Sequence, residues 1–198
     1  DCRFLFLLVF STFLDYYTAE KYYLSALEIR EKMPSKDQYK RMATLCYNLA
    51  TTYRLRGNSE KAITYASQAQ SYYQLNNSQD YVNFSICQSA LGNALFQKDQ
   101  HRESIKYFFN AIQFIQNSAQ FAEIFLPTYF TNLGAVYLEL NEPDTALLYL
   151  DQALQILLHS RDSSQIANTY QQIGVAHLQN RSDSALVYYN YSLNINRQ

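Results

Sequence analysis

Residues Asn132–Leu154 read NLGAVYLELNEPDTALLYLDQAL. A leucine stands before a glycine, a tyrosine follows three places after it, Asn-Glu-Pro-Asp makes a turn, and Ala146 and Ala153 lie seven apart. Seven places are close to two α-helical turns, so the two alanines share one helix face. The spacing predicts two helices that cross closely at small residues. Pro143 suits the first position of the second helix, where its missing N–H costs nothing.

The pattern recurs. Leu49-Ala50 leads to Tyr53, Leu91-Gly92 to Leu95, Leu133-Gly134 to Tyr137, and Ile173-Gly174 to His177. The first two intervals between these pairs are equal, and the last is two shorter. Ala62, Ser104 and Ala146 follow the small residue at one fixed distance, and Ala185 follows Gly174 one place sooner, so the last turn is shorter. Ala69, Ala111, Ala153 and Ser192 then come seven later, and Ala19 and Ala26 repeat the pair upstream. Self-similarity at a fixed period decides an architecture before any single motif does.

The Leu-Gly-x-x-Tyr and Ala-x6-Ala pattern resembles the tetratricopeptide repeat family. The best match is Leu133, Gly134, Tyr137, Ala146 and Ala153, followed by Leu49, Ala50, Tyr53, Ala62 and Ala69. The likeness is good over 38–198 and weaker over 1–37. The period exceeds that family's usual ~34 residues, as in the long units of bacterial regulators, which predicts longer helices. The resemblance implies an all-α fold, a right-handed α-solenoid of antiparallel helix pairs. It would form one domain over 1–198, with units near 1–34, 35–77, 78–118, 119–160 and 161–198. Small residues let helices approach, and Tyr53 or Tyr137 is expected to fill the gap to the neighbouring unit.

Composition agrees with helix. With 4 Gly and 3 Pro in 198 residues, breakers are too few for a turn-rich β-fold. Turns are expected at Arg56-Gly57-Asn58 and at Asn141 to Asp144. Pro34 is expected to close a helix, and Pro127 to kink one or lie near its start. The net charge of −1 lacks the basic excess of a nucleic-acid binder. Cys2, Cys46 and Cys87 are too dispersed for a disulfide framework or a metal knuckle, and buried thiols inside helices are expected for the latter two. That usage favours the cytoplasm, with a periplasmic sensor domain of a membrane protein as the alternative. His101 in a turn, His159 near a helix end and His177 in place of an aromatic are too far apart for a metal motif. Neither a phosphate-cradling glycine loop nor a nucleophile elbow occurs, so the reading is a non-catalytic module without metal or cofactor.

The apolar run Phe4 to Phe10 reads either as a buried first helix or as the remnant of a targeting segment; it is too short to span a bilayer. The C-terminal stretch ALVYYNYSLNINRQ is also apolar, whereas a free end of such a stack is normally polar. This suggests a longer protein with flanking domains, or self-association through the ends.

At 100° per residue, the faces opposite the Leu-Gly stripe carry Thr44, Tyr47, Asn48 and Thr51, then Ser89, Asn93 and Gln97. Thr128, Thr131 and Asn132, then Asn168, Gln171 and Gln172, continue the series. If these helices line the inner curve, as the resemblance implies, the faces form a neutral, amide- and hydroxyl-rich groove. Asn and Gln carry both donor and acceptor and can pair with a peptide backbone. The expected partner is a protein or peptide segment in a signalling or regulatory setting. The cations that some family members use to grip a terminal carboxylate are missing from these faces.

Overall fold

The computed structural model describes residues 16–32, 35–76, 80–160 and 162–195. The Phe4 to Phe10 run, Cys2 and Pro34 lie outside the described residues. The chain divides into two compact units, Asp1–Gln100 and His101–Gln198. The first holds α1 (Tyr16–Glu31), α2 (Lys36–Leu55), α3 (Ser59–Leu75) and α4 (Tyr81–Gln97). The second holds α5 (His101–Gln116), α6 (Ala119–Glu139), α7 (Pro143–Ser160), α8 (Ser163–Gln179) and α9 (Ala185–Ile195). All regular structure among the described residues is helical. Within each unit, helices adjacent in sequence pack together, and the Leu-Gly-type helices also touch, α2 on α4 and α6 on α8.

Each Leu-Gly-type helix ends in the same way. Gly57, Asp99, Asn141 and Arg181 have positive φ (73°, 59°, 58° and 54°), and they are spaced like the repeat itself. In every copy the next residue's N–H bonds back five carbonyls, as in Asn58 to Tyr53 (2.9 Å) and Ser182 to His177 (2.8 Å). The positive-φ residue's own N–H bonds back three, as in Gly57 to Arg54 and Arg181 to Leu178 (both 3.0 Å). This left-handed cap satisfies carbonyls the helix end would otherwise orphan. Among the described residues, three helix starts are capped by side chains. Asn58 accepts from the Lys61 N–H at the start of α3, Asp80 from Asn83 at α4, and Asp162 from Gln165 at α8.

The small residues sit at the crossings. Ala50, Ala62 and Ala69 are buried in the first unit, and Ala146 and Ala153 in the second. A Cβ on Gly134 would come within 2.6 Å of Leu150 on α7, and one on Gly174 within 3.0 Å of Tyr189 on α9. At Gly134 a Cβ would force Leu150 to shift, while at Gly174 Tyr189 would have to give by a few tenths of an ångström.

Pro127 lies inside α6, well past its start at Ala119, so of its two expected places the one within a helix holds. His101 is the first residue of α5 rather than part of the turn. Tyr53 and Tyr137 each reach the neighbouring pair, Tyr53 through Glu20 on α1 and Tyr137 in the cluster with Ile173 and Ala176 of α8, and each also stacks on the second helix of its own pair, because the turn between the helices brings a second ring back beside it. Tyr53 meets Tyr65 at 5.4 Å and Tyr137 meets Tyr149 at 5.5 Å, both nearly parallel. His177 keeps this clasp with Tyr188 at 4.8 Å, one place sooner in the chain, following the shortened turn.

Candidate functional site

In the second unit, Thr128, Thr131 and Asn132 lie on α6 and Asn168, Gln171 and Gln172 on α8, two helices that touch. The N-cap of α8 organises one edge. Asp162 accepts from the Gln165 backbone (3.0 Å), and the Gln165 amide returns a bond to the same carboxylate (2.8 Å). These donors hold the Asp162 carboxyl below its usual range. The Gln165 carbonyl oxygen then accepts from the Thr128 hydroxyl at 3.2 Å, tying α6 to α8. Gln165 was missed in the sequence, although Asp-x-x-Gln is a readable capping signature.

The remaining side chains divide. Thr131 is 8% exposed and donates to the Pro127 carbonyl at 2.8 Å, so its hydroxyl serves the helix. Asn168 and Gln171 are exposed. Asn132 and Gln172 are half-buried, and each keeps one buried polar atom without a hydrogen-bond partner, Nδ2 of Asn132 and Oε1 of Gln172. One is a donor and the other an acceptor. They occupy equivalent positions, each just before the Leu-Gly or Ile-Gly pair of its helix.

The corresponding face of the first unit is more fully engaged. Thr44 donates to the Lys40 carbonyl (3.0 Å) and lies 3.4 Å from the Tyr73 hydroxyl. Tyr47 packs against the core and bonds Thr51, and burial raises its phenol's pKa. Asn48 accepts through its backbone carbonyl from Thr52. Ser89 is buried, Asn93 half-buried and Gln97 exposed. Cys46 and Cys87 are buried thiols, each pushed up to about 12 chiefly by burial, which makes them poor nucleophiles. Among the described residues no group of His, Cys, Asp and Glu is placed to hold a metal ion, and no helix is long and apolar enough to cross a membrane. Two open clefts occur among the described residues, one of about 370 Å³ lined by Leu24, Glu28, Glu31 and Tyr65, and one of about 430 Å³ lined by Asn141 to Thr145 with Gln179 and Asn180.

Residues 125–198 match the family model of the tetratricopeptide repeat. That match covers the C-terminal part of the chain, from within α6 through α9. Residues 15–93 match a second family model, described as a domain of unknown function (DUF6340). Among solved structures, the apo form of RapI aligns with a TM-score of 0.83 at 18% identity, over 97% of this chain and 68% of that one. BtubC (BKLC) from P. vanneervenii gives 0.80 at 18% identity, over 94% and 75%. A putative kinesin light chain with tetratricopeptide-like repeats from Podosopora anserina gives 0.76 at 13%, over 96% and 92%. At such identities the likeness establishes the fold, a tetratricopeptide-type helical repeat. No curated protein matches the chain by sequence.

Proposed function

We propose that the chain binds an extended peptide or protein segment along the polar faces of its Leu-Gly-type helices and carries out no catalysis. The observation that supports this reading is the pair of unpaired amide atoms at Asn132 and Gln172. A buried polar atom without a partner costs about 1–3 kcal/mol. A bound segment offsets that cost when the two amides turn outward, so that one backbone carbonyl accepts from Asn132 Nδ2 and a backbone N–H donates to Gln172 Oε1. Thr128, Asn168 and Gln171 stand beside this pair, and Thr44, Tyr47, Asn48, Thr51, Ser89, Asn93 and Gln97 form the corresponding face of the first unit. The partner is neutral or of mixed charge, since these residues carry no ionic group. The long repeat unit, which resembles those of bacterial regulators, favours a place in a regulatory or signalling protein, and free buried thiols favour the cytoplasm.

The test is selection of a displayed random-peptide library on the chain, followed by calorimetry of the selected peptides. Asn132→Ala and Gln172→Ala should each weaken binding about fivefold to tenfold, the worth of one amide bond. Neither should lower the melting temperature, because each removes an atom the fold leaves unpaired. Binding that survives both substitutions defeats the reading. Equal loss of binding and stability assigns the amides to the fold instead.

A further inference from the structure

A stripe of accessible positions runs the length of α6. Phe121, Ile124, Thr128 and Glu139 are exposed, and Asn132 and Ala135 are half-buried. At 100° per residue all of them fall within about 40° of Thr128, on one side of the helix. The polar face of Thr128 and Asn132 thus continues into an apolar end, where Phe121 is 36% and Ile124 60% exposed. Phe125, off the stripe, is half-buried and stacks on buried Tyr129 at 6.2 Å, so it belongs to the packing. Helices α5, α7 and α8 all pack on α6 and leave the stripe open. The repeat does not ask for apolar residues there. In the register of Phe121 the other copies carry Asp37, Gln79 and Arg161, and in that of Ile124 they carry Lys40, Val82 and Ser164.

We propose that Phe121 and Ile124 form an apolar subsite for one large aliphatic or aromatic side chain of the segment bound at Asn132 and Gln172. The subsite rests on the peptide-binding reading and adds a residue requirement to it. Continuity selects this occupant. Ile124 stands on the same stripe as Asn132, two turns and a little more toward the helix start, about 12 Å along the axis. An extended chain covers that distance in about three or four residues. A segment held by its backbone at Asn132 and following α6 toward its start therefore carries a side chain over Ile124. Thr128, on the way, already donates to Gln165 and offers the segment only an acceptor. Backbone contacts accept almost any sequence, because every residue but proline presents the same N–H and C=O, so discrimination falls to side-chain subsites. A polar side chain placed over Phe121 and Ile124 would lose water and gain no hydrogen bond from them.

Selection of displayed random peptides on the full chain, repeated on I124Q, tests this. Wild-type binders should share a large apolar residue, and truncating it to Ala should weaken binding about tenfold or more. I124Q should weaken the same peptides about tenfold, and on I124Q the truncation should cost little further, because the side chain has lost its seat. Glutamine is a good helix former and Ile124 is mostly exposed, so the melting temperature should not fall. F121S removes the other wall and should act in the same direction. Binding that is lost on Asn132→Ala but intact on I124Q and F121S overturns the subsite and leaves the peptide-binding face standing. Binding that is intact on Asn132→Ala defeats that face and the subsite with it. A mass in sedimentation that rises with concentration for the wild type and not for I124Q gives the patch to a second copy and also overturns the proposal.

Discussion

The two units solve the same crossing with different volumes. In the first, Ala50 on α2 has Ala66 as its repeat counterpart on α3, and both are buried. In the second, Gly134 stands where Ala50 does and Leu150 where Ala66 does, with the leucine lying where a glycine Cβ would point. At the last crossing Gly174 faces Tyr189. The small position tracks what faces it: alanine stands opposite alanine, and glycine stands opposite the larger leucine or tyrosine, which then fills the space a Cβ would take. A glycine in the repeat signature is therefore a report on the opposite helix.

The largest effect should come from breaking that pairing in the second unit. Leu150→Ala removes a fully buried side chain and should cost about 3 kcal/mol in urea denaturation. Gly134→Ala alone should cost about 2 kcal/mol through overpacking. Combined, they recreate the alanine pair of the first unit, and the double variant should be more stable than the sum of the two losses predicts. Strict additivity would show that the two residues do not share one space.

Much of this fold is legible in the sequence, because the small residues and the heptad-spaced alanines lie within single helices where helical geometry is fixed. What could not be read were relations between helices. The clasp partners Tyr65, Tyr149 and Tyr188 each lie on the helix after the ring they meet, and recognising them requires knowing how the intervening turn reverses the chain. Gly57 announces its left-handed turn, and Asn141 tolerates one. Arg181 gives no such signal, since arginine is not drawn to positive φ and accepts it only because the cap around it is already built. On the candidate site, helical periodicity selects the faces without distinguishing side chains that serve the helix, such as Thr131, from those left with an open valence, such as Asn132.

The clasps also differ in kind between the units. In the first, the Tyr53 hydroxyl donates to Glu20 on α1 at 2.5 Å, Arg56 pairs with the same carboxylate, and Lys61 lies 4.8 Å from the Tyr53 ring. In the second, Tyr137 stacks on Tyr149 and bonds it, a neutral arrangement. Burial raises the Glu20 carboxyl, but the bonds from Tyr53 and Arg56 outweigh it and hold the group below its ordinary value of 4.5. A carboxyl depressed in the folded state stabilises above its unfolded pKa, and that contribution is lost as pH falls through the folded value. Asp80, held below its ordinary 3.8 by Lys40 and Asn83 despite burial, adds to the same acid loss in the first unit. Tyr53→Phe should cost about 1.5 kcal/mol at neutral pH, as for a bond to a charged group, and the cost should shrink on the acid side of the ordinary carboxylate value as Glu20 protonates. Tyr137→Phe should show no such pH dependence. Hydrogen exchange of the two units, followed across that window, measures both.

The smallest effect runs in the favourable direction. Four repeat ends adopt the same left-handed cap, yet one in the first unit uses glycine and the last in the second uses arginine. Left-handed backbone costs a residue with a Cβ about 1–2 kcal/mol relative to its ordinary conformation. Nothing lies within 4 Å of a Cβ built on Gly57, so that position is set by backbone conformation rather than by space. Arg181 is exposed, and removing its side chain takes little packing away. Arg181→Gly should therefore stabilise the chain by about 1 kcal/mol, less whatever extra freedom glycine has when unfolded. Gly57→Ala should destabilise by a similar amount. A loss of stability on Arg181→Gly would mean that the arginine side chain holds the last turn in place, and that the shortened α8–α9 connection is built differently from the other three.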